Sequence, residues 1–117
     1  MGGSPGSPTQ PNPPFREHRE VPRYSFIAHV VLTEPTTETH ISGRISEISR
    51  KGCYVDVLNT LPEGTTIRLK ITRDQGEFAS AGRIIYVQPG MGMGVAFVEV
   101  AADQLNVLDA WLAELKG

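Results

Sequence analysis

The stretch Thr65–Arg73, "TTIRLKITR", alternates Ile67, Leu69 and Ile71 with Arg68, Lys70 and Thr72. In an extended chain successive side chains point to opposite faces, so the three aliphatic residues share one side and the polar ones the other. The segment therefore predicts a strand with one face in a core. Its limits are marked by "LPEG" before it and "DQGE" after it, both of which have turn composition.

Working outward, the same kind of segment recurs. "YSFIAHVVL", Tyr24–Leu32, is rich in aromatic and β-branched residues and is followed by the turn-like "EPTTET". "HISGRISEIS" carries Ile41, Ile45 and Ile48 near Gly43, and "GCYVDVL" sets Cys53, Val55 and Val57 against Tyr54 and Asp56. Ser49–Gly52 forms a turn between them. "ASAGRIIYV" and "MGVAFVEV" are two more strands, and the Pro89-Gly90 of "QPGMG" suits a tight reversal between them. Six strands with short, hairpin-like connections predict an antiparallel sheet that curls into a six-stranded barrel. The last segment has a different period. In "AADQLNVLDAWLAELK", Leu105, Leu108, Leu112 and Leu115 recur at three- and four-residue steps beside Trp111, with Asp103 near the positive helix start. This is an amphipathic α-helix that covers an open end or face of the barrel. The expected fold class is all-β with one C-terminal helix.

The first residues carry neither period. Residues 1–14, "MGGSPGSPTQPNPP", offer almost nothing to bury, so chain entropy favours a disordered tail ahead of one domain over 15–117. Residues 15–23, "FREHREVPR", alternate bases with acids, and Pro22 disfavours a helix there. They are expected to form an extended, mobile arm.

Composition narrows the function. Eleven Lys and Arg stand against thirteen Asp and Glu, a formal net charge of −2, so general attraction to a nucleic acid polymer or an anionic membrane is not expected. A single-stranded nucleic-acid binder would want a basic groove with several exposed aromatics, which this composition does not offer. No apolar run approaches the ~18 residues of a membrane span. The single cysteine, Cys53, excludes an internal disulfide and fits a reducing cytoplasm. Cys53 belongs to the inward series with Val55 and Val57, where thiols are usually inert. His18, His29 and His40 lack the spacing of a metal pair. "GMGMG", Gly90–Gly94, lies between two strands and is better read as a turn than as a phosphate loop. Neither catalysis nor a cofactor is expected.

The arm and the Ser49–Gly52 turn carry what chemistry remains. Arginine forks can pair with phosphate or with the O6/N7 edge of guanine, and can stack on a base. Arg19-Glu20-Val21-Pro22-Arg23 is an R-x-x-x-R motif, and Ser49-Arg50-Lys51-Gly52 supplies S-x-x-G at a strand boundary. In this order, on six strands and a helix, the motifs resemble the PilZ domain family, bacterial receptors for the second messenger cyclic di-GMP. The resemblance runs from about Arg16 to Leu115. It implies an antiparallel six-stranded barrel with a C-terminal helix, in agreement with the periodicities. It further implies that Arg19 and Arg23 grip guanine bases and phosphates as the arm wraps the ligand. By the same resemblance Ser49 hydrogen-bonds the ligand, and Gly52 lets the backbone turn close to it. The turn would then expose a hydroxyl and leave room for a base. Arg16 and His18 are further candidates on the arm. Glu47 stands where the family's second motif begins with Asp or Asn, and it keeps a carboxylate able to accept from a guanine N–H. The resemblance implies a non-enzymatic sensor that signals to a bacterial protein partner. The alternative it leaves open is an interaction module that has lost the ligand.

Overall fold

In the computed structural model, which describes residues 21–116, Thr66–Arg73 is a strand with Ile67, Leu69 and Ile71 buried and Arg68 and Lys70 exposed. Among the described residues the order is β1 (Arg23–Glu34), β2 (Thr39–Ser49), β3 (Gly52–Asp56), β4 (Thr66–Arg73), β5 (Gly76–Gln88), β6 (Gly92–Val98) and α1 (Ala102–Lys116). Every strand pair is antiparallel. The order around the sheet is β1-β2-β3-β6-β5-β4, and β4 closes onto β1 through pairs such as Val30 with Ile71. Closure gives each of the described strands a hydrogen-bonded neighbour on both sides. The expected tail 1–14 lies outside the described residues, as does the arm up to Glu20.

Inward positions from all six strands form one core, including Phe26, Val30, Ile45, Val55, Phe78 and Val95. Leu108 and Trp111 of α1 enter the same cluster, with the Trp111 ring 5.4 Å from that of Phe26 and 6.5 Å from that of Phe78. Arg73 lies over the other partner of this contact, its guanidinium carbon 4.7 Å from the Phe26 ring centre. The helix is held at its first turns as well, where the Ala79 amide donates to Gln104 Oε1 at 2.8 Å. The leucine stripe is thus used unevenly: Leu108 is fully buried, whereas Leu105, Leu112 and Leu115 only pack against the core.

Two expectations need correction. The connection from β3 to β4 is no hairpin, because β3 neighbours β2 and β6 while β4 neighbours β1 and β5. Residues 57–65 cross between them, tied to β5 by Gly64 N–H to Ile84 C=O at 2.7 Å and Ile84 N–H to Thr65 C=O at 2.9 Å. Turn composition marks a reversal but does not say which strand comes next. Arg23, assigned to the mobile arm, instead opens β1 and pairs with Ser49 of β2. The backbone ladder with β2 extends the strand one residue beyond its aromatic and β-branched stretch.

Candidate functional site

A single rung of the barrel joins Ser25, Glu47, Tyr54, Gly94 and Tyr86, each paired with the next across β1, β2, β3, β6 and β5. Because Phe26, Ile48, Cys53, Val55, Ile84 and Val95 face the core, the alternation turns the side chains of this rung outward. The ladders slip beside it at three places, between Ser25 and Ala28, Ile45 and Glu47, and Ile84 and Tyr86. Bulges of this kind re-aim side chains and sharpen local twist.

Glycine at position 94 leaves space in the middle of the rung, and Tyr86 fills it. A Cβ on Gly94 would lie 2.2 Å from Cε1 of the Tyr86 ring, and one on Gly92 would lie 2.7 Å from the Tyr54 hydroxyl. Both phenols are therefore laid flat along β6, with ring centres 6.2 Å apart, and the Tyr54 hydroxyl donates to Gln88 Oε1. Half of "GMGMG" is the expected turn, with Gly90 at φ 77° and Met91 N–H bonded to Gln88 C=O at 3.0 Å. Its other half is strand whose glycines seat two rings.

Arg23 reaches over the same surface, its Nη1 donating to Glu47 Oε1 at 3.1 Å. The pair is about one-third exposed on each side. Burial pushes the Tyr86 phenol above its ordinary pKa, the Tyr54 phenol and the Glu47 carboxylate push it the same way, and the Arg23 guanidinium opposes them. Arg23, Glu47, Tyr54 and Tyr86 thus form one electrostatic neighbourhood on the outer wall.

The Ser49–Gly52 turn is built differently from the expectation. Ser49 is 1% exposed, and its hydroxyl oxygen accepts from Lys51 N–H at 3.1 Å and Gly52 N–H at 3.2 Å. The hydroxyl that was expected to be exposed closes a serine turn, because a short side chain can serve the orphan amides of its own reversal. Gly52 has a structural reason of its own: a Cβ there would lie 2.1 Å from the Val95 carbonyl oxygen, so β3 and β6 meet too closely for any side chain. The exposed part of the turn is Arg50 and Lys51, and Arg50 Nε lies 3.0 Å from Asp109 Oδ1 on α1.

Of the sequence-predicted site residues, Arg23 and Glu47 are in contact, Ser49 pairs with Arg23 across the ladder, and Gly52 is bonded to the Ser49 hydroxyl at the start of β3. Arg16, His18 and Arg19 lie outside the described residues. Cys53 is fully buried, and burial pushes its thiol up to about 12. No group of three or more His, Cys, Asp and Glu able to hold a metal occurs among the described residues. None of the helices described is long and apolar enough to cross a membrane. Sequence reasoning missed Tyr54 and Tyr86. The available signal was two glycines at a spacing of two within a strand, which leaves one face bare beside each neighbouring strand.

The comparisons agree with this architecture. A model of the PilZ domain matches residues 16–114. No curated protein matches the sequence significantly. Among solved structures, the PilZ domain with c-di-GMP of YcgR from Escherichia coli superposes with a TM-score of 0.67 at 17% identity, covering 84% of this chain and 91% of that one. The PilZ domain of CeSA from a cellulose synthesizing bacterium gives 0.64 at 17% identity, over 82% and 99%. The Bacillus subtilis inhibitor of motility MotI/DgrA gives 0.65 at 19% identity over 82% of this chain, which spans only 50% of that protein. A barrel closed in the order β1-β2-β3-β6-β5-β4, a C-terminal helix docked through Trp111 and a family match over residues 16–114 lead to one conclusion: the chain belongs to the PilZ domain family.

Proposed function

We propose that this chain is a cyclic di-GMP receptor, without enzymatic activity, that works in the cytoplasm and signals through contacts with a bacterial protein partner. The observation that carries the reading is the outer rung, where a guanidinium, a carboxylate and two phenol rings share one face. Cyclic di-GMP has two guanines and two phosphates. Arg23 suits a phosphate or the O6/N7 edge of guanine, Glu47 suits the guanine N–H groups, and the Tyr86 and Tyr54 rings offer a stacking surface for a base. Arg19, with Arg16 and His18 as further contacts, would close over the ligand from the arm. Binding of c-di-GMP by YcgR supports the assignment by analogy of fold.

A second reading has its own observation. Arg23 is already engaged by Glu47, and the Ser49 hydroxyl is committed to its turn, which suits an interaction module that has given up the ligand. Isothermal titration with cyclic di-GMP separates the two. The receptor reading expects a micromolar dissociation constant, about −8 kcal/mol, and far weaker binding of GMP. Absence of heat at protein concentrations of roughly a hundred micromolar would transfer the assignment to the interaction module.

A further inference from the structure

The ladder sets the outward residues of β4 and β5 opposite one another: Lys70 faces Ala79 and Arg68 faces Ala81, with Arg83 one rung further on beside Thr66. On its other side β4 meets β1, where Lys70 pairs with Val31 and Arg68 with Thr33, and Thr33 in turn pairs with His40 of β2. Long bases thus stand next to short side chains. Between them lies a groove of about 370 Å³ whose lining includes Val31, Thr33, His40, Arg68, Lys70 and Ala79. It shares no residue with the outer rung, the Ser49–Gly52 turn or α1. We infer that this groove is an interaction surface for an extended acidic segment of a protein partner, with carboxylates at every second position.

Charge complementarity decides the occupant. Arg68 and Arg83 make no ion pair among the described residues, and Lys70 reaches only Glu77, at 3.9 Å with both side chains more than half exposed. Thr33 Oγ1 and His40 Nδ1 lie 3.1 Å apart, which fixes the imidazole at the edge of the groove. Arg68 and Lys70 are two apart on one strand, so their Cα atoms are roughly 7 Å from each other, which is also the repeat of alternate side chains in an extended peptide. Because the barrel is closed, neither β1 nor β4 offers an edge to which a partner could add a strand, and the segment is held through side chains. Val31 and Ala79 then supply a floor for the methylenes of glutamate side chains. A nucleic acid or an anionic membrane matches less well. The net charge of −2 opposes long polyanions, and the exposed large apolar side chains, Ile27, Leu58 and Met91, lie outside the groove. The inference deepens the partner half of the proposed function and rests on it; nothing in it requires cyclic di-GMP.

The test titrates the isotope-labelled full chain with a short blocked peptide that alternates glutamate and threonine, followed through amide chemical shifts. The amides of Val31, Thr33, Arg68, Lys70 and Ala79 should move together and saturate, less tightly as salt rises, and should stay still when glutamine replaces glutamate. Arg68→Ala with Lys70→Ala should lower the affinity by about fivefold or more, whereas Lys51→Ala with Lys116→Ala, which removes as much charge elsewhere, should change it by less than about twofold. All four side chains are exposed, so the melting temperature should hold in both double variants. Shifts that fail to saturate, persist with the glutamine peptide or weaken equally in the two double variants would overturn the inference. So would tighter binding at the same amides by single-stranded oligothymidylate or by phosphatidylserine vesicles. Movement of those amides with protein concentration alone would overturn it as well, by identifying a second copy, through Asp103, Asp109 and Glu114 of α1, as the occupant. No nucleotide enters this titration, so its failure would leave the receptor reading to the calorimetry with cyclic di-GMP, and failure there would leave the peptide result as measured.

Discussion

Glu47 stands where the family motif carries Asp or Asn, and in this protein its carboxylate holds Arg23 at 3.1 Å across the first ladder. On the receptor reading, this carboxylate competes with a ligand phosphate for the Arg23 fork, and its departure from the motif combines a charge, which Asn lacks, with a reach one methylene longer than Asp. Glu47→Gln should tighten cyclic di-GMP binding by about 1 kcal/mol, with a gain that shrinks as salt screens the competition, measured by titration calorimetry at two ionic strengths. Arg23→Ala should weaken binding by about 1.5–3 kcal/mol. Its effect on the melting temperature should be small, because an ion pair this exposed contributes at most ~1 kcal/mol. Gly94 is the other decisive residue. Its alanine variant places a methyl 2.2 Å from the Tyr86 ring, which must leave its seat. A loss of about 1–3 kcal/mol of stability, read by urea unfolding, is expected, together with changed tyrosine fluorescence.

At the scale of elements, the Ser49–Gly52 turn and α1 answer to different forces. The turn is held by one hydroxyl serving two amides, so Ser49→Ala leaves the Lys51 and Gly52 N–H groups without their acceptor. It should cost about 1–3 kcal/mol in the free protein, and a ligand role alone would leave the free protein's stability unchanged. The helix is held by packing. Trp111 lies against Phe26 and Phe78, and Trp111→Ala should cost about 3–5 kcal/mol and expose α1 amides to hydrogen exchange ahead of the barrel. Arg50 with Asp109 and Arg73 with Glu114, at 3.0 and 3.5 Å, tie the helix to the barrel from outside without replacing that contact.

Across the whole molecule, burial acts on one thiol and two phenols in the same direction. Burial raises Cys53 to about 12 and raises the Tyr54 and Tyr86 phenols, so the folded chain keeps these protons to higher pH than the unfolded chain does. Their contribution to stability is fully present below the unfolded values and is lost as pH rises through the folded ones. The urea midpoint should therefore hold steady near neutrality and fall from about pH 9 upward, beginning where an unfolded thiol ionises. In Cys53→Ala the fall should start later, near the ~10 of an ordinary phenol. A midpoint that rises between pH 9 and 11 would contradict the burial of these groups.

The sequence by itself determined the strands, the helix and the inward residues, because alternation and helical spacing are local and depend only on which side chains avoid water. "TTIRLKITR" and "GCYVDV" needed no partner to be read, and two motifs in order were sufficient for the family resemblance. Several decisions belonged to the tertiary structure alone. The crossing of residues 57–65 depends on which strands close the barrel, and Arg23 becomes strand only because Ser49 pairs with it. Ser49 could be read as a ligand hydroxyl until the amides of its own turn engaged it. Tyr54 and Tyr86 lie 32 positions apart and meet over glycines of a third strand. Such contacts depend on ladder register, which is set by closing a whole sheet around a shared core and has no signature within any single segment.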